Sequence, residues 1–304
     1  MSSTAPASWP SSGYTAAAMS KVYRFSPEME QLRRACIVDP IRRDARTHWP
    51  ERPLGYPGDI VRSKVIECGR AVFDEPYEGG HGVLSPADRV DLYSYWNLPA
   101  HVFEMLAYLE RFLADVADAE IAGMHILDIG CGPMTAGLAL AQHVSARVPI
   151  EYIGVDISLA MLGKARHLEQ YARDCGLLHR GSSLRFATSL AEVAHGPRTW
   201  KPLIVILSFL LASRTLDIAQ LVDDLVAYAE RLGSGSVSVL YTNSAEDIAN
   251  LRFPEFQAAL ERYAFTLHAH GNEEVIRYQL PSGQRTRRIR YALFHRHEQT
   301  TLIL

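Results

Sequence analysis

Residues 126–133 read Ile126-Leu127-Asp128-Ile129-Gly130-Cys131-Gly132-Pro133, a short apolar run that leads into two closely spaced glycines. An apolar run bounded by glycines predicts a buried β-strand, and the glycines allow a tight turn in which the main chain approaches a ligand closely. Residues 134–143 follow with good helix formers and apolar residues at helical spacing. The free amides at the start of that helix are therefore expected to face the same cleft.

A second strand and a second acidic residue follow this turn. Residues 150–155 predict the next strand, and Asp156 comes 24 residues after Gly132. In nucleotide-binding βαβ units, an acidic residue at this place accepts hydrogen bonds from the ribose hydroxyls. Ser158 is expected to cap the helix of residues 159–173. The dinucleotide pattern Gly-x-Gly-x-x-Gly needs a third glycine where this chain has Thr135, which disfavours NAD.

Residues 121–245 resemble the class I S-adenosylmethionine-dependent methyltransferases. In that family the first strand ends in an acidic residue before a Gly-x-Gly turn, matched here by Asp128 and by Gly130-Cys131-Gly132. The resemblance implies a Rossmann-like α/β fold, with a seven-stranded, mostly parallel sheet whose C-terminal strand is antiparallel. It also implies S-adenosyl-L-methionine as cofactor and S-adenosyl-L-homocysteine as product. Met134 replaces a glycine common in the family, so we expect a tighter turn or an earlier start of the helix.

The same resemblance assigns cofactor contacts at the ends of the first three strands. It implies a ribose-binding role for Asp156 and adenine packing against Ile157 and Met161. After the third predicted strand, residues 183–187, the family commonly carries an aspartate for the adenine amine. This chain has Thr188 and Ser189 there, so we expect the backbone and Ser189 to hold the adenine.

Further candidates follow the fourth and fifth predicted strands, residues 203–207 and 236–241, because ligands of open α/β sheets bind outside the carboxyl ends of the strands. The resemblance places Ser208 and Phe209 at the methionine end of the cofactor, although Phe209 could equally pack under the next helix. Tyr241 and Asn243 are candidate substrate-binding or catalytic residues. Asparagine is also an ordinary turn former, which leaves a structural role open.

A region ahead of the sheet predicts a cap. Residues 1–20 are rich in Ser, Ala and Pro and are expected to be disordered, residues 21–118 to form a helical cap or substrate region, and residues 119–304 to form the cofactor-binding methyltransferase domain. The segment Gly-Tyr-Pro-Gly-Asp at residues 55–59 is similar to that of bacterial methyltransferases with a helical N-terminal cap. Pro and Gly are also what a plain turn requires.

Four side chains of the cap are candidates for the site. Tyr56 and Asp59 are candidate catalytic residues, and Tyr95 belongs to an aromatic wall that would face a positively charged methyl donor. Core packing is the preferred explanation for the cap aromatics. His81, in a Gly-rich loop, is a candidate base, although single histidines are seldom catalytic.

Composition limits the class of function. The chain has 304 residues and a formal net charge of −3, which gives no broad field for a phosphate backbone, so we expect no nucleic acid partner. The cysteines lie far apart without a C-x-x-C pair, and neither a disulfide framework nor a metal site is predicted. No apolar run approaches the roughly 18 residues of a membrane span and no signal peptide is evident, so a cytoplasmic location without membrane contact is expected.

The sequence therefore predicts an enzyme that transfers a methyl group to a nitrogen or oxygen of a small molecule. Acidic residues outnumber basic ones in the cap segment, which weakly favours an amine or guanidine as acceptor. One alternative is an RNA or protein methyltransferase, with a cationic groove of Arg42, Arg43, Arg46 and Arg52 as its distinguishing feature. Another is a module that binds the cofactor without turnover. The oligomeric state is left open, a homodimer being one option.

Overall fold

A large mixed β-sheet organises the chain, described here by a computed structural model over residues 21–66, 73–193, 200–233 and 235–297. The predicted disordered segment, residues 1–20, lies outside the described residues. The strands are β1 (Val22–Tyr23), β2 (Tyr77–Gly79), β3 (Gly82–Leu84), β4 (His125–Ile129), β5 (Glu151–Val155), β6 (Ser183–Ala187), β7 (Leu203–Ser208), β8 (Val237–Ser244), β9 (Thr266–Leu280) and β10 (Gly283–Arg296).

The helices surround this sheet and build the N-terminal region. They are α1 (Pro27–Arg33), α2 (Asp39–Arg43), α3 (Gly58–Ile60), α4 (Pro86–Trp96), α5 (Leu98–Phe112), α6 (Asp118–Ala122), α7 (Thr135–Val144), α8 (Leu159–Asp174), α9 (Ile218–Leu232) and α10 (Phe253–Glu261). Short π-helical segments, Arg34–Val38 and Val61–Ile66, extend α1 and α3. None of the described helices is both long enough and apolar enough to cross a membrane.

The order of strands across the main sheet is β1-β9-β10-β8-β7-β4-β5-β6, and β2 pairs with β3 in a separate hairpin. Strands β4 to β8 run parallel, whereas β10 is antiparallel to both β8 and β9. The predicted mostly parallel sheet with an antiparallel C-terminal strand is confirmed. The number of strands was predicted wrongly: the sheet has eight, because Val22–Tyr23 adds a short parallel strand beside β9.

The central strands are buried on both faces, which explains their near-continuous apolar sequences. Side chains alternate along β4, so that Ile126 packs towards α5, α7 and α8, whereas Leu127 and Ile129 pack towards α9 and α10. Because α5 packs on α7 and β1 joins the sheet, residues 21–66 and 73–112 share a hydrophobic core with the first face.

Gly137, in the first turn of α7, lets the buried Tyr152 of β5 approach the helix. A Cβ atom at Gly137 would lie 2.8 Å from Cγ of Met134 and 3.0 Å from Cζ of Tyr152. Gly163, in α8, offers the matched case, since a Cβ atom there would meet nothing within 4 Å. Both glycines lie in helices, so the two positions have similar backbone conformations and differ in how closely other side chains pack against them.

We expect Gly137→Ala to destabilise the protein by about 1–3 kcal/mol, because the new methyl group overpacks the Tyr152 contact. Gly163→Ala should instead stabilise it by roughly 0.5–1 kcal/mol, through the higher helix propensity of alanine. Urea unfolding of both variants beside the wild type measures the difference. Equal shifts for the two variants would contradict this account of Gly137.

Candidate active site

The turn after β4 has the backbone conformation that only glycine adopts freely. Gly130 and Gly132 have φ angles of +74° and +52°. The N–H groups of Gly130 and Cys131 donate to the Val155 carbonyl at 2.7 and 3.1 Å, which ties the turn to the end of β5. A Cβ atom on Gly130 would lie 2.9 Å from Cδ1 of Leu210, whereas the space beside Gly132 is open except for the Met161 sulfur at 4.0 Å. Gly132 therefore presents bare main chain to the cleft.

Met134, which replaces a family glycine, takes the left-handed conformation itself, with φ +65°. Met134 directly precedes α7, which begins at Thr135, so of the two expected outcomes the earlier start of the helix does not occur. Its side chain is fully buried in the core. Burial of this large side chain offsets a backbone cost of about 1–2 kcal/mol.

The Asp156 carboxylate, at the end of β5, joins two loops. Oδ2 accepts the Gly132 N–H at 2.8 Å and Oδ1 accepts the Ser158 N–H at 2.9 Å. Burial raises the pKa of Asp156 to about 6, against the lowering effect of the two backbone donors. Both oxygens keep lone pairs for hydroxyl donors of a ligand. Ile157 beside it is 57% exposed, so its apolar side chain is accessible to a ligand.

Asp128, at the end of β4, is almost completely buried, and sequence reasoning missed its partner. The Tyr152 hydroxyl donates to Oδ2 of Asp128 at 2.5 Å, whereas Oδ1 is buried without a partner among the described residues. Burial raises the pKa of Asp128 to about 7, and the negative charge of Asp156 acts in the same direction. A buried carboxylate oxygen without a partner is costly, and a ligand with a hydrogen-bond donor or a positive charge would satisfy it.

A carboxylate of the cap occupies the first turn of α8. Asp74 accepts the Ser158 hydroxyl at 2.9 Å and the N–H groups of Leu159 and Ala160 at 3.0 and 2.8 Å. Partial burial opposes ionisation, but these three donors hold the pKa of Asp74 below its usual value. Ser158 caps the helix as predicted, through its bond from the Met161 N–H. Asp74 therefore fastens the cap directly beside Asp156.

The end of β6 also holds a carboxylate that the sequence analysis missed. Glu192 accepts the Thr188 N–H at 2.9 Å and the Thr188 hydroxyl, and these bonds lower its pKa. The hydroxyl of Thr188 is thus engaged, and Ser189 lies next to it. Thr188 and Ser189 thus stand where the family commonly carries an aspartate, and the Glu192 carboxylate, four residues after Thr188, bonds to this strand end.

Phe209 follows β7 and faces the cap instead of packing under the next helix. Its ring stacks on the His101 ring of α5, with centroids 4.0 Å apart and an interplanar angle of 13°. Nδ1 of His101 lies 3.3 Å from the Tyr93 hydroxyl, and burial lowers the His101 pKa to about 3, so the imidazole is neutral. Ser208 accepts the Thr242 hydroxyl at 3.0 Å. Burial chiefly, and the negative charge of Asp156 in addition, raise the pKa of Tyr93.

The residues proposed after β8 form a buried network. The Tyr241 hydroxyl donates to Oδ1 of Asn250 at 2.8 Å and accepts from Nδ2 of Asn243 at 3.0 Å. Nδ2 of Asn243 also donates to the Ala249 carbonyl at 2.8 Å. Tyr241 and Asn243 are fully buried, and these bonds give both a structural role in holding the turn of residues 247–250.

The cap candidates lie in three places. Tyr56 is buried, and its hydroxyl donates to the Gly82 carbonyl in the β2–β3 hairpin. His81, at the turn of that hairpin, is exposed with its ring 5.4 Å from the Tyr56 ring. Asp59 is exposed on α3. Tyr95 packs edge-on against Trp49 and Trp96 rather than against the Gly132 turn.

No protein-family model and no curated protein matches the sequence, but solved structures do. A SAM-dependent methyltransferase from Aquifex aeolicus is 11% identical, with a TM-score of 0.44 over 69% of this chain and 97% of that chain. The CcbJ methyltransferase from Streptomyces caelestis is 15% identical, with a TM-score of 0.43 over 69% and 96%. Magnesium protoporphyrin IX methyltransferase from Synechocystis with bound SAH is 14% identical, with a TM-score of 0.39 over 67% and 87%.

The strand order and the antiparallel β10 agree with the architecture that the sequence resemblance implied. The fold is therefore a Rossmann-like α/β fold with a mostly parallel sheet. At these identities and TM-scores the likenesses to solved structures carry no further argument. What this fold binds must be argued from its own residues.

We expect Asp128→Asn to stabilise the unliganded protein at pH 8 by about 1–3 kcal/mol, because it removes a buried charge with one unpaired oxygen. The pKa of Asp128 is higher in the folded chain than its usual 3.8, so this carboxyl costs stability progressively as the pH rises from about 4 to about 7. The stabilisation of Asp128→Asn relative to the wild type should therefore be largest above pH 7 and should decrease as the pH falls towards 4. Thermal unfolding at pH 8 and pH 5 measures it, with the exposed Asp115→Asn as control.

Proposed function

We propose that this chain is an S-adenosylmethionine-dependent methyltransferase that methylates a nitrogen or oxygen of a small molecule. The proposal rests chiefly on Asp156, which accepts the Gly132 N–H at 2.8 Å and the Ser158 N–H at 2.9 Å and has no further hydrogen-bond donor among the described residues. This is the arrangement that a ribose requires beside an exposed glycine turn. Ile157 and Met161 would pack the adenine, and Asp128 and the Gly130 turn would hold the methionine part.

The cofactor supplies an electrophilic methyl group on a positively charged sulfur, so the protein mainly has to position the acceptor. Correct positioning alone can contribute roughly 7–11 kcal/mol to lowering the barrier. The carboxylates of Asp128 and Asp156 give the cleft the negative charge that suits a cationic ligand. No metal-binding group of three or more His, Cys, Asp or Glu side chains occurs among the described residues.

The cap contributes by covering the cleft. Asp74 fixes it to the start of α8, and the stacked rings of His101 and Phe209 close the β7 side. A covered cleft excludes water and strengthens electrostatic interactions inside it. The roles predicted for Tyr56, Asp59 and His81 as catalytic groups stay predictions, and of these three, Asp59 and His81 have exposed side chains able to meet an acceptor.

The alternative of RNA as substrate finds little support in the predicted cationic groove. Arg46 is bound by both Asp44 and Asp88, at 2.8 and 2.7 Å, and Arg43 lies 3.8 Å from Asp39. Two of the four arginines expected to face a phosphate backbone are therefore neutralised. A small-molecule acceptor remains the favoured proposal.

We expect Asp156→Ala to weaken binding of S-adenosylhomocysteine by about 1.5–3 kcal/mol, because charge-assisted hydrogen bonds to the ribose are lost. Isothermal titration calorimetry measures the change, and Asp115→Ala, an exposed aspartate of the same charge, is the matched control. Unchanged affinity in Asp156→Ala would remove this carboxylate from the site and with it the proposal.

Binding of S-adenosylmethionine should weaken as the pH falls from 8 to 5. In the free protein the pKa values of Asp128 and Asp156 are raised to about 7 and about 6, and a cationic ligand must lower both because it favours the ionised forms. Binding at pH 6 therefore releases protons. Titrations in two buffers of different ionisation enthalpy would detect the release, and Asp128→Asn should reduce it.

Transfer itself is tested with the tritiated methyl donor, purified protein and a metabolite extract. A labelled product of low mass is expected. Label found only in RNA or protein would favour the macromolecular alternative. Donor binding without transfer to any of these acceptors would favour a module without turnover.

A further inference from the structure

A second cavity, of about 620 Å³, lies between the cap and the β9–β10 hairpin. Its walls come from α1 and the π-helical segment after it, from the junction of α4 and α5, and from the turn between β9 and β10. This volume falls in the usual range for small-molecule sites. Six arginines line the cavity: Arg33, Arg34, Arg42, Arg62, Arg285 and Arg287. We refer to this space, with these arginines, as the arginine groove.

Only two of these arginines have carboxylate partners among the described residues. Arg33 binds Glu30 through two bonds of 2.7 and 2.8 Å, and Nε of Arg287 donates to Oε1 of the buried Glu104 at 2.8 Å. Glu30 is also the only carboxylate that lines the groove in the described part of the chain. The arginine groove therefore has a clear excess of positive charge.

The other four, Arg34, Arg42, Arg62 and Arg285, make no ion pair with a described carboxylate and have exposed side chains. Unpaired guanidinium groups around one cavity create a positive potential that concentrates anions. Their planar donor arrays match carboxylate and phosphate oxygens in pairs. Charge and geometry therefore both favour an anionic ligand.

Aromatic rings form the rest of the wall, contributed by Trp49, Tyr95, Trp96 and Tyr278. The Arg42 guanidinium lies 5.3 Å from the Trp49 ring centroid and that of Arg62 lies 5.8 Å from that of Trp96. These contacts hold two cations in place without neutralising them. The rings also offer flat apolar surface, so the groove suits a ligand with both an anionic group and a planar apolar part.

The arginine groove shares a wall with the proposed cofactor cleft. Asn97, Pro99 and Ala100, at the start of α5, line the groove, whereas the next residue, His101, stacks on Phe209 at the end of β7. The start of α5 therefore contacts both the arginine groove and Phe209, which is the residue predicted to lie at the methionine end of the cofactor.

We propose that the arginine groove binds the acceptor substrate, which carries a carboxylate or phosphate group and a planar apolar portion. The inference rests on the proposed methyltransferase function and specifies its substrate class. This substrate class differs from the amine or guanidine acceptor that the excess of acidic residues in the cap segment favoured. Several of those acids are engaged elsewhere, Asp74 on α8, Asp88 on Arg46 and Asp91 on Lys164.

The test compares three probes of nearly equal shape: 2-naphthoate, 2-naphthyl phosphate and neutral 2-naphthamide. Titration of the full chain, followed by calorimetry and by tryptophan fluorescence, should show one or both anions binding at least about tenfold more tightly than the amide. The anion that binds more tightly identifies the group. Equal affinity for all three probes, or no binding of either anion, would overturn the proposal.

A double variant assigns the effect to the groove. Arg62→Gln with Arg285→Gln should abolish the preference for the anion, whereas Arg180→Gln, an exposed arginine before the opposite edge strand β6, should keep it. The double variant should bind S-adenosylhomocysteine as the wild type does, which also shows that it folds. If the double variant keeps the anion preference, the assignment of the anion site to the groove is wrong, but the methyltransferase proposal stands. If the wild-type protein does not bind S-adenosylhomocysteine, the methyltransferase proposal itself is wrong.

Competition with single-stranded RNA tests the alternative that the groove binds a nucleic acid. RNA that displaces 2-naphthoate and binds with a steep dependence on salt would assign the groove to a nucleic acid backbone instead, and would overturn the small-molecule inference. Weak, non-competing RNA binding is the result expected here.

Discussion

The site depends on one constraint, the pair of hydrogen bonds that the Asp156 carboxylate accepts. One comes from an N–H group of the glycine turn and the other from an N–H group at the start of α8. The carboxylate joins the end of β4 to the helix after β5. Because Asp74 accepts the next amides of that helix, the cap is attached to the same point. Three segments distant in sequence are thus aligned by two carboxylates and backbone donors. Without that alignment, the open main chain at Gly132 would face solvent rather than a covered cleft.

A second carboxylate, that of Asp128, carries a cost for folding. Asp128 is buried with one oxygen unpaired, and its pKa is raised to about 7 by burial. Replacing such a group by a neutral isostere is favourable for folding. Its retention is understandable if the free energy is recovered on binding a cationic ligand. Gly137 belongs to the same arrangement, since it admits the Tyr152 ring whose hydroxyl is the carboxylate's one partner.

Sequence reasoning located the parts of the site that depend on local pattern. The strand that ends at Ile129, the glycine turn and Asp156 follow from apolar runs, glycine spacing and acidic residues at strand ends, and the parallel sheet follows from their alternation with helices. Partners contributed by distant segments were not accessible in this way. Tyr152, Asp74 and Glu192 each meet the site through a contact that no periodicity encodes. Tyr241 and Asn243 were placed correctly at a strand end, but a strand end does not tell whether a side chain points to the cleft or into a buried turn.

The charge of the cap shows why counting residues is a weak guide to the substrate. A segment rich in Asp and Glu suggests a cationic partner only if those carboxylates are free, and here Asp44 and Asp88 bind Arg46, Asp91 binds Lys164, and Asp74 binds backbone amides. The arginines that remain unpaired come from both the cap and the β9–β10 hairpin, which are adjacent only in the folded chain. The local charge is therefore set by tertiary pairing, and at the arginine groove the arginines outnumber the carboxylates. If the groove binds the acceptor as proposed, that residual charge would select it, rather than the net charge of the segment.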